Sequence, residues 1–221
     1  MLKILFPVLL LFLNTLSGNY IDKANKALQN QNIEEAIKLY ELSARAGDDD
    51  ANFELGKIYY LKRYQKRDLL RAFEYFKKSA DYEHPKAKYN LAMIYSQKRF
   101  KMHSYKKAYE LFYSLANQGY PNAQYMIGIY YMKGLGVDKN YNEAQKWFEE
   151  AYFKNHYEKA SCGIASIYAN GLGVIQNLGR ARKLSEQYID KFSLCKEVFV
   201  DFKLYKEKYK EDKGFKFGYY R

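Results

Sequence analysis

Apolar residues recur along this chain at helical spacing, and the arrangement itself repeats. One pattern has an alanine, a Leu or Ile four residues later, a small residue next to it and a tyrosine three positions further on. It starts at Ala51, Ala87, Ala123 and Ala160, so the successive intervals are 36, 36 and 37 residues. A fixed period of this length is typical of solenoids built from stacked supersecondary units.

A second pattern, an alanine followed three or four residues later by a bulky side chain, has the same period. It starts at Ala36, Ala72, Ala108, Ala144 and Ala181. Both patterns place their apolar residues on one helical face, so each period predicts a helix A, a loop and a helix B. The small residue of the first pattern lets helix B approach helix A closely. The repeated tyrosines are predicted to fill the core between hairpins: Tyr59, Tyr95, Tyr131 and Tyr168.

Two of the predicted A–B loops contain the same glycine-rich motif. They read Gly134-Leu135-Gly136-Val137 and Gly171-Leu172-Gly173-Val174, and the first is followed by Lys139-Asn140 and a helix containing Ala144 and Trp147. Over about residues 51–190 the chain resembles Sel1-like repeats, relatives of tetratricopeptide repeats with a longer A–B loop. The resemblance implies an all-α fold, a right-handed superhelical solenoid of Sel1-like or tetratricopeptide-like hairpins, and a secreted or periplasmic scaffold that binds protein.

The chain is predicted to comprise four segments. Residues 1–18 read as a signal peptide, because a short basic start precedes an apolar run of about ten residues, too short for the ~20 that span a bilayer. The alternative is an uncleaved membrane anchor. Residues 19–50 are predicted to be a tetratricopeptide-like N-terminal hairpin, 51–192 the Sel1-like repeats, and 193–221 a C-terminal capping helix and tail. We expect a periplasmic or secreted protein with no membrane-spanning segment once the signal peptide is removed.

Charge is concentrated in two adjacent repeats. The formal net charge is +12, and residues 57–107 contain fifteen Lys and Arg against four Asp and Glu, a net of +11. The basic residues cluster where the glycine-rich loop is missing, and since successive loops of a solenoid lie side by side, they should form one ridge. This basic ridge comprises Lys62, Arg63, Lys66, Arg67, Lys98, Arg99 and Lys101. It predicts an anionic partner or, alternatively, a set of well-solvated loops.

A partner-binding groove can be placed by the period. In tetratricopeptide arrays the A helices line a concave face that holds peptides, and the resemblance implies the same face here. The predicted groove comprises Phe53, Lys57, Tyr60, Tyr89, Met93, Tyr125, Ile129 and Met132. Tyrosine and methionine suit adaptable recognition. The alternative is that these side chains are buried between neighbouring helices.

The sequence offers little for catalysis. It contains two cysteines and three histidines, without metal-ligand spacing, so no metal and no cofactor are predicted. Cys162 and Cys195 fall near adjoining ends of predicted helices and form either a disulfide or two free thiols. Cysteine-rich Sel1-like proteins have been linked to penicillin binding or β-lactam hydrolysis, but this chain lacks a cysteine in every repeat. Its Ser-x-x-Lys matches, at Ser104 and Ser193, are at the frequency expected by chance.

The sequence therefore predicts an exported scaffold or adaptor that binds a protein or peptide partner in the bacterial cell envelope. One alternative is β-lactamase-like or penicillin-binding activity, so whether the protein is an enzyme stays open, with a non-catalytic role preferred. Another is a binder of anionic lipid or envelope polymer through the basic ridge. Nucleic acid is not expected as a partner because of the signal peptide.

Overall fold

A computed structural model describes residues 20–210, in which every regular element is helical. The first helix, α1, covers residues 20–29. The others are α2 (Ile33–Arg45), α3 (Asp49–Tyr60), α4 (Leu69–Asp81), α5 (Pro85–Tyr95), α6 (Tyr105–Asn117), α7 (Pro121–Lys133), α8 (Tyr141–Glu149), α9 (Lys159–Asn170), α10 (Leu178–Glu186) and α11 (Ser193–Lys210). The predicted all-α class of helical hairpins is confirmed. The predicted signal peptide and the end of the tail lie outside the described residues.

The chain divides into two compact units, residues 1–111 and 112–221, whose boundary falls within α6. In the first unit α2 packs on α3, α3 on α4, and α4 on α5. In the second, α7 packs on α8, α8 on α9 and α9 on α10, while α11 packs on both α9 and α10. Within each unit, consecutive helices are thus neighbours in space, as expected for stacked helical hairpins.

One backbone hydrogen bond closes each of the four A–B loops that follow a repeated tyrosine. The residue before helix B donates its N–H to the carbonyl of the repeated tyrosine nine residues earlier: Asp68 to Tyr59 at 2.9 Å, Ser104 to Tyr95 at 3.0 Å, Asn140 to Tyr131 at 3.0 Å, and Asn177 to Tyr168 at 2.9 Å. The same four side chains accept a backbone N–H from the first turn of helix B and so cap it. The two ends of the loop are therefore fixed, whatever sequence lies between them.

The small residues on helix A bring an aromatic ring of helix B against the helix A backbone. A Cβ added at Gly56 would lie 2.5 Å from the ring of Phe76, and one at Gly128 would lie 2.5 Å from the ring of Phe148. Both rings are fully buried. Gly163 contacts Phe148 as well, where a Cβ would approach to 2.8 Å. Close approach, not conformational freedom, is what these helical positions require of glycine.

The lengthening of the period from 36 to 37 residues has a structural cause. The two 37-residue intervals, which start at Ala123 and Ala144, overlap only in residues 144–160. Within that overlap α8 ends in a π-helical turn, Glu150–Lys154. Since a π turn accommodates one extra residue in a helix, it absorbs the insertion without shifting the helices that follow.

Three of the four tyrosines predicted to fill the core are buried: Tyr59, Tyr95 and Tyr168. The fourth, Tyr131, is half-buried and packs against the core of the second unit. The residue before the repeated tyrosine is also buried in each repeat, and in this one it is Tyr130, whose ring lies 5.5 Å from that of Phe112.

Candidate interaction surfaces

The predicted groove residues of the first unit are only partly accessible. Phe53 is buried, and its ring stacks on that of His84 with centroids 4.5 Å apart. Lys57 is half-buried and forms an ion pair of 2.6 Å with Glu54. The remaining three residues of the groove in this unit are half-buried and keep exposed surface: Tyr60, Tyr89 and Met93.

In the second unit, the central aromatic of the predicted groove is also buried. Tyr125 packs 5.6 Å from Phe148 and 5.7 Å from Tyr157, and burial raises the pKa of Tyr125 to about 12. Ile129 and Met132 are half-buried and pack against the same core. The rings of Phe53 and Tyr125 therefore contribute to packing within their own units and offer a partner little surface. The period places them correctly on helix A but does not show that another helix covers them.

All seven cations of the basic ridge are exposed and belong to the first unit. They lie in the loop between α3 and α4, residues 61–68, and in the loop between α5 and α6, residues 96–104. Within residues 20–210, Lys66 is the only one of the seven with an ion pair, which it makes with Glu34. The other six carry positive charge that no carboxylate of the described residues neutralises through an ion pair.

The two basic loops repeat a tripeptide of Lys, Arg and an aromatic residue. The aromatic residues lie within the basic stretches of the sequence, and their packing was not predicted. Lys62-Arg63-Tyr64 and Lys98-Arg99-Phe100 are separated by 36 residues, one period. Phe100 is buried, with its ring 5.4 Å from that of Phe73 on α4, and Tyr64 is half-buried. Phe100 thus holds its loop against α4, and the Lys-Arg pair of each loop faces solvent. The signal that could have found this motif was the spacing of the two aromatic residues.

Two shallow clefts lie beside the first of these loops. One, of about 550 Å³, is lined by Leu28, Gln31, Asn32, Ile33, Glu34, Arg63, Tyr64, Gln65 and Lys66. The other, of about 470 Å³, is lined by Asn25, Leu28, Gln29, Glu54, Lys57, Arg63 and Tyr64. Arg63 and Tyr64 border both clefts. Except for Gln65, the amide side chains around them come from α1 and the α1–α2 turn, where no binding residue was predicted.

A disulfide joins Cys162 on α9 to Cys195 on α11, with the two Cα atoms 4.7 Å apart and both residues fully buried. Of the two alternatives for these cysteines, the structure contains the bond. Cys162 stands one 37-residue period after Tyr125, and Ser185 stands one period after Phe148. In the last hairpin a covalent link to α11 therefore replaces the aromatic pair that packs the hairpin before it.

One of the two serines considered for chemistry has a structural role. Ser104 caps α6, since its Oγ accepts the backbone N–H of Lys107 at 3.3 Å. Within residues 20–210, no group of three or more His, Cys, Asp or Glu side chains is arranged to hold a metal ion. Among the helices of that same range, none combines the length and apolar character needed to cross a bilayer.

The sequence profile of the Sel1 repeat matches five segments of the chain: residues 28–48, 49–81, 85–120, 121–156 and 158–187. The chain belongs to the Sel1 repeat family. No curated protein matches its sequence. The family assignment confirms the resemblance and covers the hairpins of both units.

Solved structures of Sel1 repeat proteins have the same fold. The crystal structure of c5321, a protective antigen of uropathogenic Escherichia coli displaying an SLR fold, is 24% identical with a TM-score of 0.71. That similarity covers 87% of this chain and 42% of the antigen, so this Sel1 repeat protein spans less than half of the antigen's length. A Sel1 repeat protein from Oxalobacter formigenes is 23% identical with a TM-score of 0.65, over 80% of this chain and 69% of that one. At these identities the likeness concerns the fold alone.

Proposed function

We propose that this Sel1 repeat protein is an exported scaffold that binds a protein or peptide partner in the bacterial cell envelope. Sel1 repeats form helical scaffolds that typically serve protein interaction. The observation that carries the proposal to this chain is a set of half-exposed side chains on the A helices of the first unit: Tyr60, Tyr89 and Met93.

These three side chains have the properties of a recognition surface. Tyr60 is held in place from one side, where its ring lies 6.0 Å from that of Phe76. A tyrosine fixed in this way loses little conformational entropy on binding and offers both an apolar ring and a hydroxyl. Met93 adds a flexible side chain that adapts to different partner shapes. The same surface would suit an extended peptide better than a small polar molecule.

Site-specific photo-crosslinking in living cells tests the proposal. A photoreactive amino acid is placed at Tyr60, Tyr89 or Met93, and in matched controls at Glu74 or Lys77, which are exposed on α4. We expect one and the same protein to be captured from the first three positions and not from the controls. Equal capture from both sets, or capture from neither, would contradict binding at this surface.

Export is supported by two features of the chain. The N-terminal eighteen residues have the pattern of a signal peptide, and the buried disulfide is typical of an oxidising compartment. The test is cell fractionation followed by intact mass measurement. We expect the protein outside the cytoplasm, shortened by about eighteen residues as the apolar run dictates, with both cysteines protected from alkylation. A full-length cytoplasmic protein with reactive thiols would contradict export.

The exposed basic ridge favours a second candidate function, the binding of anionic lipid or of an anionic envelope polymer. Six cations without an ion pair in the described chain are a sufficient electrostatic basis for it. Such binding should weaken steeply as salt is raised, because exposed charges are screened beyond about 10 Å at 0.1 M salt.

A further inference from the structure

We propose that the basic ridge is a docking site for an acidic polypeptide segment, with Arg63 as its anchor. The inference rests on the proposed function, because it names the chemistry of the protein partner. It adds to the A-helix surface described above two clefts at the loop that follows α3, one of which is also lined by Glu54 and Lys57 of α3. The supporting observations are the geometry of Arg63, the composition of the two clefts beside it, and the repetition of the motif in the next loop.

The guanidinium of Arg63 is held in a defined position. Its Nη2 donates a hydrogen bond of 2.5 Å to the Tyr64 hydroxyl, and its Cζ lies 4.6 Å from the centre of the Tyr64 ring. Within residues 20–210, it has no carboxylate partner. A planar guanidinium that is already stacked binds a carboxylate through two parallel hydrogen bonds at a reduced entropic cost.

The two clefts beside Arg63 contain carboxylates of their own, and both are already neutralised. Glu34 forms an ion pair with Lys66 in one cleft, and Glu54 forms one with Lys57 in the other. Arg63 is thus the cation left over in each. Because the same Arg63 borders both clefts, they share one excess positive charge, which suits a single carboxylate side chain. It suits a phosphate-rich surface less well, since the nearby Glu34 and Glu54 would repel dense negative charge.

The remaining lining of the clefts matches a polypeptide backbone. Amide side chains, which both donate and accept hydrogen bonds, come from Asn25 and Gln29 on one side and Gln31, Asn32 and Gln65 on the other. Leu28 borders both clefts and offers an apolar contact. Amides can pair with the N–H and C=O groups of an extended peptide, while an apolar residue receives a neighbouring side chain.

The second loop continues the site. Lys98 and Arg99 are exposed, and Phe100 packs 5.4 Å from Phe73 on α4, the helix that follows the Arg63 loop. The two Lys-Arg pairs therefore stand on adjacent hairpins of one unit. An acidic segment that places one carboxylate at Arg63 can place a second at Arg99, and the two contacts together raise affinity without requiring either to be strong.

Fluorescence anisotropy on the purified full chain tests the docking site. The probe is a labelled twelve-residue peptide of glutamates spaced by glycine and serine, and its control is the same peptide with glutamines. The variant Arg63→Gln/Arg99→Gln is compared with Lys77→Gln/Lys106→Gln, which removes the same charge from exposed positions of the same unit. Circular dichroism verifies that both variants are folded.

We expect the first variant to bind the acidic peptide at least about tenfold more weakly than the unmodified protein, and the second to change affinity by less than about threefold. Arg63→Lys should lose part of the affinity, because it keeps the charge but not the planar group. Equal losses in the two double variants would overturn the inference, since binding would then follow net charge. Equal binding of the glutamine peptide would overturn it as well.

Co-sedimentation with vesicles of 30% phosphatidylglycerol in phosphatidylcholine distinguishes the membrane alternative. If these vesicles bind and the acidic peptide does not, the ridge is a lipid-binding surface and the inference is wrong. If neither binds while Tyr60, Tyr89 and Met93 still crosslink one protein, the docking site fails and the proposed scaffold function survives. If the acidic peptide binds but Tyr60, Tyr89 and Met93 crosslink no protein, the docking site stands and binding at the A-helix surface is wrong.

Discussion

The A–B loops that follow the repeated tyrosines are closed by the same backbone hydrogen bond in both units, but they differ in which residue points inward. In the first unit, the fourth and fifth residues after the repeated tyrosine are Arg63-Tyr64 and Arg99-Phe100, an exposed cation followed by an inward aromatic ring. In the second, the same positions hold Leu135-Gly136 and Leu172-Gly173, a half-buried leucine followed by an exposed glycine. The inward residue has moved by one position.

The backbone explains this inversion. Gly134 and Gly171 end their helices with φ of 67° and 62°, and Gly136 and Gly173 have φ of 67° and 71°. Each of these positions has a positive φ, a left-handed backbone conformation that residues other than glycine rarely adopt. The two basic loops, residues 61–68 and 96–104, lack these glycines and have one left-handed residue between them, Gln65. Since the closing hydrogen bond is the same in all four loops, the comparison shows that the loop interior varies independently of the hairpin.

The largest expected difference concerns the inward residue of each loop. Phe100→Ala should lower the free energy of unfolding by about 3 kcal/mol, because it removes a buried ring that contacts Phe73. Leu135→Ala should cost about 1 kcal/mol, since Leu135 is only half-buried. Urea unfolding of both variants measures the difference. Equal losses would show that the loop of the first unit is not held by its aromatic residue.

Smaller changes in stability, opposite in sign to each other, are expected from substitutions at two left-handed residues, Gly171 and Gln65. Gly171→Ala should lower stability by about 1–2 kcal/mol through backbone strain. The nearest atoms to an added Cβ there would be 3.4 Å away, so space is not the limit. Gln65→Gly, at φ of 56°, should leave stability unchanged or raise it by up to about 1 kcal/mol. Thermal unfolding compares the two, and destabilisation by both would refute the backbone explanation.

The smallest effect should be the same in both units. Asp68→Ala and Asn140→Ala each remove the side chain that caps helix B, and each should cost about 1 kcal/mol. The backbone hydrogen bond to the repeated tyrosine would remain, because it uses the main chain. Hydrogen exchange at the first turns of α4 and α8 reports on each cap separately. A clearly larger loss in one unit would mean that the loop interior supports the helix start as well.

Much of this architecture follows from the sequence because the period is so regular. The positions of Ala51 and Ala72 and their equivalents predict the helices, and the resemblance to Sel1-like repeats predicts the family. The sequence leaves two alternatives open where a helix has more than one apolar face. Phe53 and Tyr125 lie at the predicted positions on helix A, but the pattern does not show that Phe76 and Phe148 cover them. The clefts beside Arg63 could not be predicted from the sequence either, because their lining residues come from separate helices and loops.

The disulfide restricts how the number of repeats in such a chain can change. It joins residues 33 apart, within the last hairpin and α11, and contributes roughly 3–4 kcal/mol in the loop-entropy model. A hairpin inserted before α9 leaves both cysteines in place, whereas one inserted between them separates Cys162 from Cys195 by a further period. Gain or loss of a repeat before α9 is therefore compatible with the disulfide, whereas a change between the two cysteines is not.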